Sequence, residues 1–316
     1  MKIGLLVGRE NTFPQAFIDR VNSKGVRGIT AEMIRLGGTR LNDEIPYRLI
    51  VDRISHEIPY YRLYLKQAVA QGVIVINNPF WWSADDKYFG CLLAERVGVA
   101  VPKTVLLPNL EYDADIIDES LRNLTEIPWE DHIAYTGLPA VLKPAIGGGN
   151  KNIHMVDTLD ELKAAYQTSG SLQMILQEKI EYEDYVRCWC LGRKYVFFSR
   201  YGHFLPREER YIQQSQGISA ALQERVVGDV LKLCDGLGYD MNTVEMAIRD
   251  GIPYAIDFLN PACDMDRNSI REERFEWVVE HMATMCIEYA LGEREPASTA
   301  WWDALVQLPE RAVVAP

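Results

Sequence analysis

Val141-Leu142-Lys143-Pro144-Ala145-Ile146-Gly147-Gly148-Gly149-Asn150-Lys151 is the stretch on which the reading of this chain turns. An apolar, strand-forming run ends in a lysine and passes directly into three glycines. Without a Cβ, glycine lets backbone N–H groups turn inward and approach an anion, and Lys143 adds a point charge at the same place. The plainer alternative is a flexible hairpin with a surface lysine, but a lysine closing an apolar strand asks for a partner. The spacing is not that of a P-loop, because Lys151 does not follow G-x-x-x-x-G and no Ser or Thr comes after it.

Downstream of this stretch, strand-like runs succeed one another at 140–143, 152–156, 174–177, 185–191, 195–200, 243–248 and 254–259. Helical spacing covers 159–167 and 218–237, and Asp250-Gly251 is a hairpin signal. This predicts an α+β arrangement with antiparallel sheet. Phe275, Val278, Val279, Met282, Cys286, Ile287 and Ala290 recur at helical spacing, and Gly292 stops that helix.

Upstream, short apolar strands alternate with helices: strands at 3–7, 29–36, 49–52 and 73–76, helices at 12–23 and 59–70. Such alternation implies a parallel, doubly wound sheet. Asp52-Arg53 and Asn77-Asn78 then fall at the carboxyl ends of strands, where these sheets place ligands. The first turn, Gly4 to Gly8, lacks the glycine spacing of a dinucleotide site. Ser83 with Asp86 reads as a capping box for a helix over 83–97, closed by Gly98. Residues 108–129 are acidic and weakly patterned, a loop with a short helix. These shifts divide the chain into an α/β domain at 1–101, an α+β domain at 102–292 with lobes at about 102–180 and 181–292, and a tail at 293–316.

The net charge of −12 excludes a broad phosphate-backbone contact, so no nucleic-acid partner is expected, although a few local cations can still hold a small anion. No apolar run approaches the roughly 20 residues that span a bilayer, and the N-terminus carries no signal-peptide pattern, which points to a cytoplasmic protein without membrane partners. The six cysteines are scattered and read as buried thiols; Cys188 and Cys190, two apart on a strand, are better as packed thiols than as zinc ligands.

Three further stretches carry chemistry. In the hairpin from Thr243 to Pro261, Glu245 and Asp257 lie within apolar strand sequence on opposite arms of one turn. Burying both costs several kcal/mol unless a cation neutralises them, and hard oxygen donors of this kind suit magnesium on ATP phosphates. Leu176-Gln177-Glu178-Lys179-Ile180 could present its backbone edge to an adenine ring, with Glu183 or Asp184 within reach of ribose. Arg200, His203, Arg207 and Arg210 form a basic set from which Arg200, closing a strand, is the candidate for a cleft, since a guanidinium binds carboxylate and phosphate bidentately.

Taken in order, these pieces resemble the ATP-grasp superfamily, which includes D-alanine–D-alanine ligase, glutathione synthetase and peptide-modifying glutamate ligases. The resemblance runs from Asp86-Lys87 and Gly98-Val-Ala-Val-Pro102 through Val141 to Gly149, Gln177 to Ile180 and Tyr185-Val-Arg187. It ends with Leu237-Gly-Tyr-Asp240, Glu245 and Asp257-Phe-Leu-Asn260-Pro261, and covers about residues 1–291. It implies a pre-ATP-grasp, Rossmann-like α/β domain followed by a two-lobed ATP-grasp domain. It implies that Lys87 and Lys143 hold phosphates under a lid formed by Gly147, Gly148 and Gly149. Glu178, Lys179 and Ile180 would meet adenine and Asp184 ribose. Glu245, Asp257 and Asn260 would carry magnesium, with manganese as the alternative. Arg200, with Lys143, would stabilise the transferring phosphate. In the family the last carboxylate and asparagine stand two apart; here Asp257 and Asn260 are three apart, so a bulge or the strand's end must re-aim Asn260.

The implied activity is ATP-dependent joining of a carboxylate, activated as acyl-phosphate, to an amine, with ADP and phosphate released. Phosphoryl transfer to a hydroxyl on the same fold, and nucleotide binding without catalysis, stand as alternatives. Trp81, Trp82, His203 and Arg207 flank the nucleotide stretches and would line a substrate pocket, and the family allows a homo-oligomer.

Overall fold

The structure, a computed structural model, describes residues 1–80, 86–147, 151–202, 204–206, 209–212 and 217–297. Lys2–Leu6 (β1), Phe13–Ser23 (α1), Thr30–Met33 (β2), Leu49–Asp52 (β3), Pro59–Ala70 (α2) and Ile74–Ile76 (β4) form the alternating unit. Its four strands are all parallel, in the order β2-β1-β3-β4. Alternation along the strands decides the packing. Ile3, Leu5, Leu49 and Val51 face Phe13, Phe17 and Val21 of α1, whereas Leu6 and Ile50 face Tyr64, Leu65 and Ala68 of α2. Pro59 opens α2 at a position where a missing N–H costs nothing.

The helix expected over 83–97 is Lys87–Arg96 (α3). Asp86, read in sequence as the third residue of a capping box, is itself the cap: its carboxylate accepts a bond from Phe89 N at 2.6 Å. Aspartate caps as well as serine does, so sequence spacing alone could not choose between them. Ser83 lies outside the described residues.

Thr104–Leu106 (β5), Trp129–Thr136 (α4), Ala140–Pro144 (β6), His154–Val156 (β7), Leu159–Tyr166 (α5) and Met174–Glu178 (β8) make an antiparallel sheet in the order β5-β8-β6-β7. Ala140, Leu142, Val156, Met174 and Leu176 pack with Leu162 and Tyr166 of α5 and with Trp129 and Ile133 of α4, leaving the opposite face to line a cleft.

Asp184–Leu191 (β9), Tyr195–Tyr201 (β10), Tyr211–Ile212 (β11), Ala220–Leu237 (α6), Met241–Arg249 (β12), Ile252–Asp257 (β13) and Arg267–Leu291 (α7) complete the fold. The sheet order is β11-β10-β9-β12-β13, antiparallel throughout. Asp250 and Gly251 both take positive φ, 53° and 70°, as the two-residue hairpin requires. Val186, Cys188, Cys190, Val244 and Met246 face α6. Trp189, Leu191 and Met241 face α7, whose Phe275, Val278, Met282 and Tyr289 also pack with α1 and the first sheet. One core thus joins the parallel sheet to the last antiparallel one. α7 begins at Arg267, eight residues before its apolar repeat, because Arg271 (φ 67°) breaks the helical backbone and the periodic face resumes only at Phe275. All six cysteines are free and buried.

Candidate nucleotide and substrate site

Strand register places the charged residues. Lys143 pairs with Ile175 and projects from the open face of the β5-β8-β6-β7 sheet, away from Leu142 and Leu176 in the core. It is only 8 % exposed. Burial pushes its ammonium below the usual lysine range; Asp257 opposes that shift, Lys87 adds to it, and Glu245 opposes it more weakly. Lys87, Asp257 and Glu245 thus all lie near enough to act on the Lys143 ammonium, and Asp257 acts on Glu245. Lys87, at the start of α3, is tied to the glycine stretch: its N–H donates to Ala145 O at 2.9 Å and its Nζ to Gly147 O at 2.5 Å. Gly147 holds a φ of +96°, which L side chains rarely adopt. Gly148, Gly149 and Asn150 lie outside the described residues.

Glu245 pairs across the hairpin with Asp257, so the two carboxylates share a face. A bulge makes this so. From Arg249–Ile252 to Met246–Ala255 the register is regular, and continuing it would set Ile256 opposite Glu245 and turn Asp257 toward α6; the shift between Glu245 and Met246 inserts Ile256 as the extra residue. β13 ends at Asp257, and Asn260 lies in the following loop. There its N–H donates to Asn242 Oδ1 at 3.0 Å and its Nδ2 to Thr243 O at 3.2 Å. The re-aiming expected between Asp257 and Asn260 thus has two parts, a bulge before the aspartate and a tethered loop after it.

Glu245 is 7 % exposed and well held. The Tyr185 hydroxyl donates to its Oε2 at 2.7 Å, and Arg187 Nη1 lies 3.4 Å from its Oε1. Burial raises the Glu245 carboxyl above the usual range, Arg187 pulls it down, and Asp257 pushes it up again. Arg187 also reaches Tyr201 OH at 3.4 Å and Thr243 Oγ1 at 3.3 Å, while its Nε is buried with no hydrogen-bond partner among the described residues. Charge-assisted bonds usually measure about 2.7–2.9 Å. A guanidinium whose side-chain contacts are all this long is only loosely committed to them.

Arg200 stands elsewhere. It pairs with Val186 in register, whereas Arg187 pairs with Ser199 and Glu245, so Arg200 projects from the α6 side of the sheet. It forms an ion pair with Asp184, on the same side. The sequence singled out Arg200 because it closes a strand; strand parity separates it from Glu245 and Asp257 and brings Arg187 to them. Sequence did hold a signal for Arg187, the lone charge in Tyr185-Val-Arg-Cys-Trp-Cys-Leu191, an otherwise apolar central strand.

Between β8 and β9 runs the expected hinge. Glu178 is engaged, accepting from Arg249 Nη1 at 2.8 Å and from Lys103 N at 3.3 Å, and Lys179 pairs with Glu181 at 2.6 Å. The peptide groups of Lys179 and Ile180 have no hydrogen-bond partner among the described residues, although the Ile180 side chain is buried. Backbone groups at such a place ordinarily pair, so the hinge presents free donors and acceptors to whatever occupies the cleft.

At the carboxyl ends of β1 and β3 a cavity of about 430 Å³ is walled by Glu10, Arg53, His56, Asp264, Asp266 and Ser269, among others. Its floor is the buried Arg53–Glu10 ion pair, with Arg53 also donating to Cys263 O. Burial lowers the His56 imidazole below its usual range, against the pull of Glu57 and Asp52. Asn77 is a clamp instead of a ligand: Nδ2 donates to Met241 O (2.7 Å) and Pro261 O (3.2 Å), and Oδ1 accepts from Asp240 N and Met241 N. Trp81, Trp82, His203 and Arg207 lie outside the described residues. Among the described residues no three His, Cys, Asp or Glu side chains form a metal cluster. Two carboxylates and the Asn260 amide oxygen nevertheless fit magnesium, which takes one or two protein carboxylates and completes its shell with phosphate and water. No helix of the described residues is long and apolar enough to cross a membrane.

No protein-family model matches the chain, and no curated relative matches it. Solved structures do. D-alanine–D-alanine ligase from Bacillus anthracis aligns over 93 % of this chain and 98 % of its own, with 19 % identity and a TM-score of 0.61. A RimK domain ATP-grasp protein from Sphaerobacter thermophilus aligns over 91 % and 100 %, with 16 % identity and a TM-score of 0.62. The ATP-grasp ligase PsnB, complexed with a minimal precursor, Mg and ADP, aligns over 92 % and 98 %, with 14 % identity and a TM-score of 0.57. The fold is therefore that of the ATP-grasp ligases, present here from the parallel sheet to α7.

Proposed function

We propose that the chain is an ATP-dependent ligase that activates a carboxylate as its acyl-phosphate and joins it to an amine, releasing ADP and phosphate. The observation that carries this reading is the meeting of Lys87 and Lys143 with Glu245 and Asp257 across one cleft, beside a hinge with free peptide groups. The parallel sheet then serves as the pre-ATP-grasp domain. The Lys179–Ile180 edge receives the adenine, and Lys87 and Lys143 receive the phosphates beside Gly147. Glu245, Asp257 and Asn260 would hold magnesium, which when bound neutralises the triphosphate and sharpens the γ-phosphorus as an electrophile.

The substrate carboxylate oxygen bonds to the γ-phosphorus as the bond to ADP breaks. The amine then attacks the acyl carbon, loses a proton and expels phosphate. Arg187 replaces Arg200 in the role of stabilising the transferring group, because it lies on the carboxylate face and its Nη contacts there are long. The 430 Å³ cavity at the carboxyl ends of β1 and β3 receives the amine, next to His56. The test is ADP release from MgATP with paired pools of carboxylates and amines. Turnover should require one member of each pool and vanish in Lys143→Ala and Glu245→Ala; a variant at either site with full turnover would overturn the assignment.

A further inference from the structure

Tyr185 is buried, at 7 % exposure, and its hydroxyl donates to Glu245 Oε2 at 2.7 Å. Backbone register fixes this contact. Tyr185 stands opposite Ala247 and Arg187 opposite Glu245 on the paired strands β9 and β12, so the tyrosine is the diagonal neighbour of the glutamate on the same face. Packing fixes the ring: Tyr182 lies at 5.2 Å and Tyr201 at 6.3 Å between centroids. A hydrogen bond from a ring held in this way decides how the carboxylate is turned, and it engages one of the two carboxylate oxygens. Asn260 is held by the same means, since its Nδ2 donates to Thr243 O at 3.2 Å and its Oδ1 is left as the oxygen that can serve a cation.

We infer that Tyr185 is a positioning residue that keeps Glu245 a one-oxygen ligand and so makes the site prefer magnesium to calcium. The two ions ask different things of a carboxylate. Magnesium demands a near-octahedral shell at about 2.0–2.1 Å, and the bite of a single carboxylate is too narrow to fill two adjacent octahedral positions. Calcium takes a larger and more irregular shell at about 2.3–2.6 Å and accepts both oxygens of one carboxylate. With Oε2 on the Tyr185 hydroxyl, chelation through both oxygens of Glu245 has to displace that bond, a cost that falls on calcium and not on magnesium. This rests on the ligase reading, in which Glu245, Asp257 and Asn260 hold the metal that accompanies ATP.

Calorimetric titration of the full chain with MgADP, with CaADP and with ADP in EDTA tests it. The unaltered protein should bind MgADP about tenfold tighter than CaADP or better. Tyr185→Phe keeps the ring and removes the hydroxyl; it should bring the two complexes within about threefold of each other, while ADP without metal binds as before. Tyr201→Phe is the matched control. It removes a hydroxyl of the same aromatic group, one that meets Arg187 instead of Glu245, and should retain the preference. A Tyr185→Phe variant with its preference intact overturns the inference. So does an equal loss of preference in Tyr201→Phe, or an equal loss of affinity for metal-free ADP in Tyr185→Phe, either of which would make Tyr185 a packing residue only. Equal affinity of the unaltered chain for MgADP and CaADP overturns it without recourse to a variant. Failure of the unaltered chain to bind ADP in any form would overturn the ligase reading as well, an outcome distinct from all the others.

Discussion

Replacing Lys143 by methionine should stabilise the empty protein while removing its response to nucleotide. Lys143 is almost wholly buried, and the balance of burial and Lys87 against Asp257 and Glu245 leaves its charged form disfavoured. Methionine has nearly the same length and no charge to desolvate. Exchanging a whole buried ion pair for packed apolar groups commonly gains about 1–4 kcal/mol, and losing one partner of a well-made pair costs stability; Lys143, whose charged form burial disfavours, is not such a partner. Because two carboxylates lose a counter-charge here, the lower end, about 1–2 kcal/mol, is expected. At roughly 2–4 °C per kcal/mol for a large domain, the melting temperature should rise by about 2–8 °C. MgADP at a hundred times its Kd adds about 2.7 kcal/mol to a protein that binds it, and the variant should forgo that increment. The pH dependence has a definite sign. A lysine lowered in the folded state is protonated more fully in the unfolded chain, so native stability rises as pH climbs from the depressed value toward 10.5. That contribution should be missing in Lys143→Met. Differential scanning fluorimetry with and without MgADP reads both effects. A variant with a lower melting temperature and an intact MgADP shift would refute the placement of Lys143 in the phosphate cleft.

Arg187→Lys should lower turnover by about a hundredfold with MgADP affinity nearly unchanged, whereas Arg200→Lys should alter turnover by less than about threefold; steady-state ADP release compares them. Glu245, raised by burial above 4.5, binds its proton more tightly in the native state, so its contribution to stability is present at acid pH and lost as pH rises through the folded value; urea midpoints of Glu245→Gln should lack that part of the pH profile. Asn77→Ala orphans the N–H groups of Asp240 and Met241 and the carbonyls of Met241 and Pro261, and should cost about 3 kcal/mol or more by urea unfolding, beyond the range of an exposed asparagine.

Sequence carried the alternation of strands and helices, the glycine stretch after Lys143 and the hairpin at Asp250-Gly251, because each depends on local periodicity or on a residue-specific backbone preference. What it could not carry was strand register. Arg187 and Arg200 lie on the paired strands β9 and β10, yet a one-residue difference in parity puts them on opposite faces of one sheet. The bulge at Ile256 has no glycine or proline to announce it, and without it Asp257 would point into the α6 core. The kink at Arg271 was invisible for a related reason: the apolar repeat begins only after it, so the first turn of α7 offers no periodic face to read.

The same register explains why these charges are tolerated in a protein that must also fold. Trp189, Leu191 and Met241, at one end of the carboxylate-bearing face, anchor the last sheet to α7 and through it to α1 and the parallel sheet. At the other end that face carries Tyr185, Arg187, Tyr201, Glu245 and Asp257, with Lys143 facing them from the other lobe. Arg187 stays 3.4 Å from Glu245, and Asp257 raises Glu245 instead of relieving it. Burying like charges side by side in this way lowers stability, and the arrangement persists because the apolar end of the same strands holds the backbone in place. A polyphosphate with its metal brings both signs of charge at once. It can satisfy the lysines, the arginine and the carboxylates together, where any rearrangement of the protein alone would satisfy one set at the expense of another.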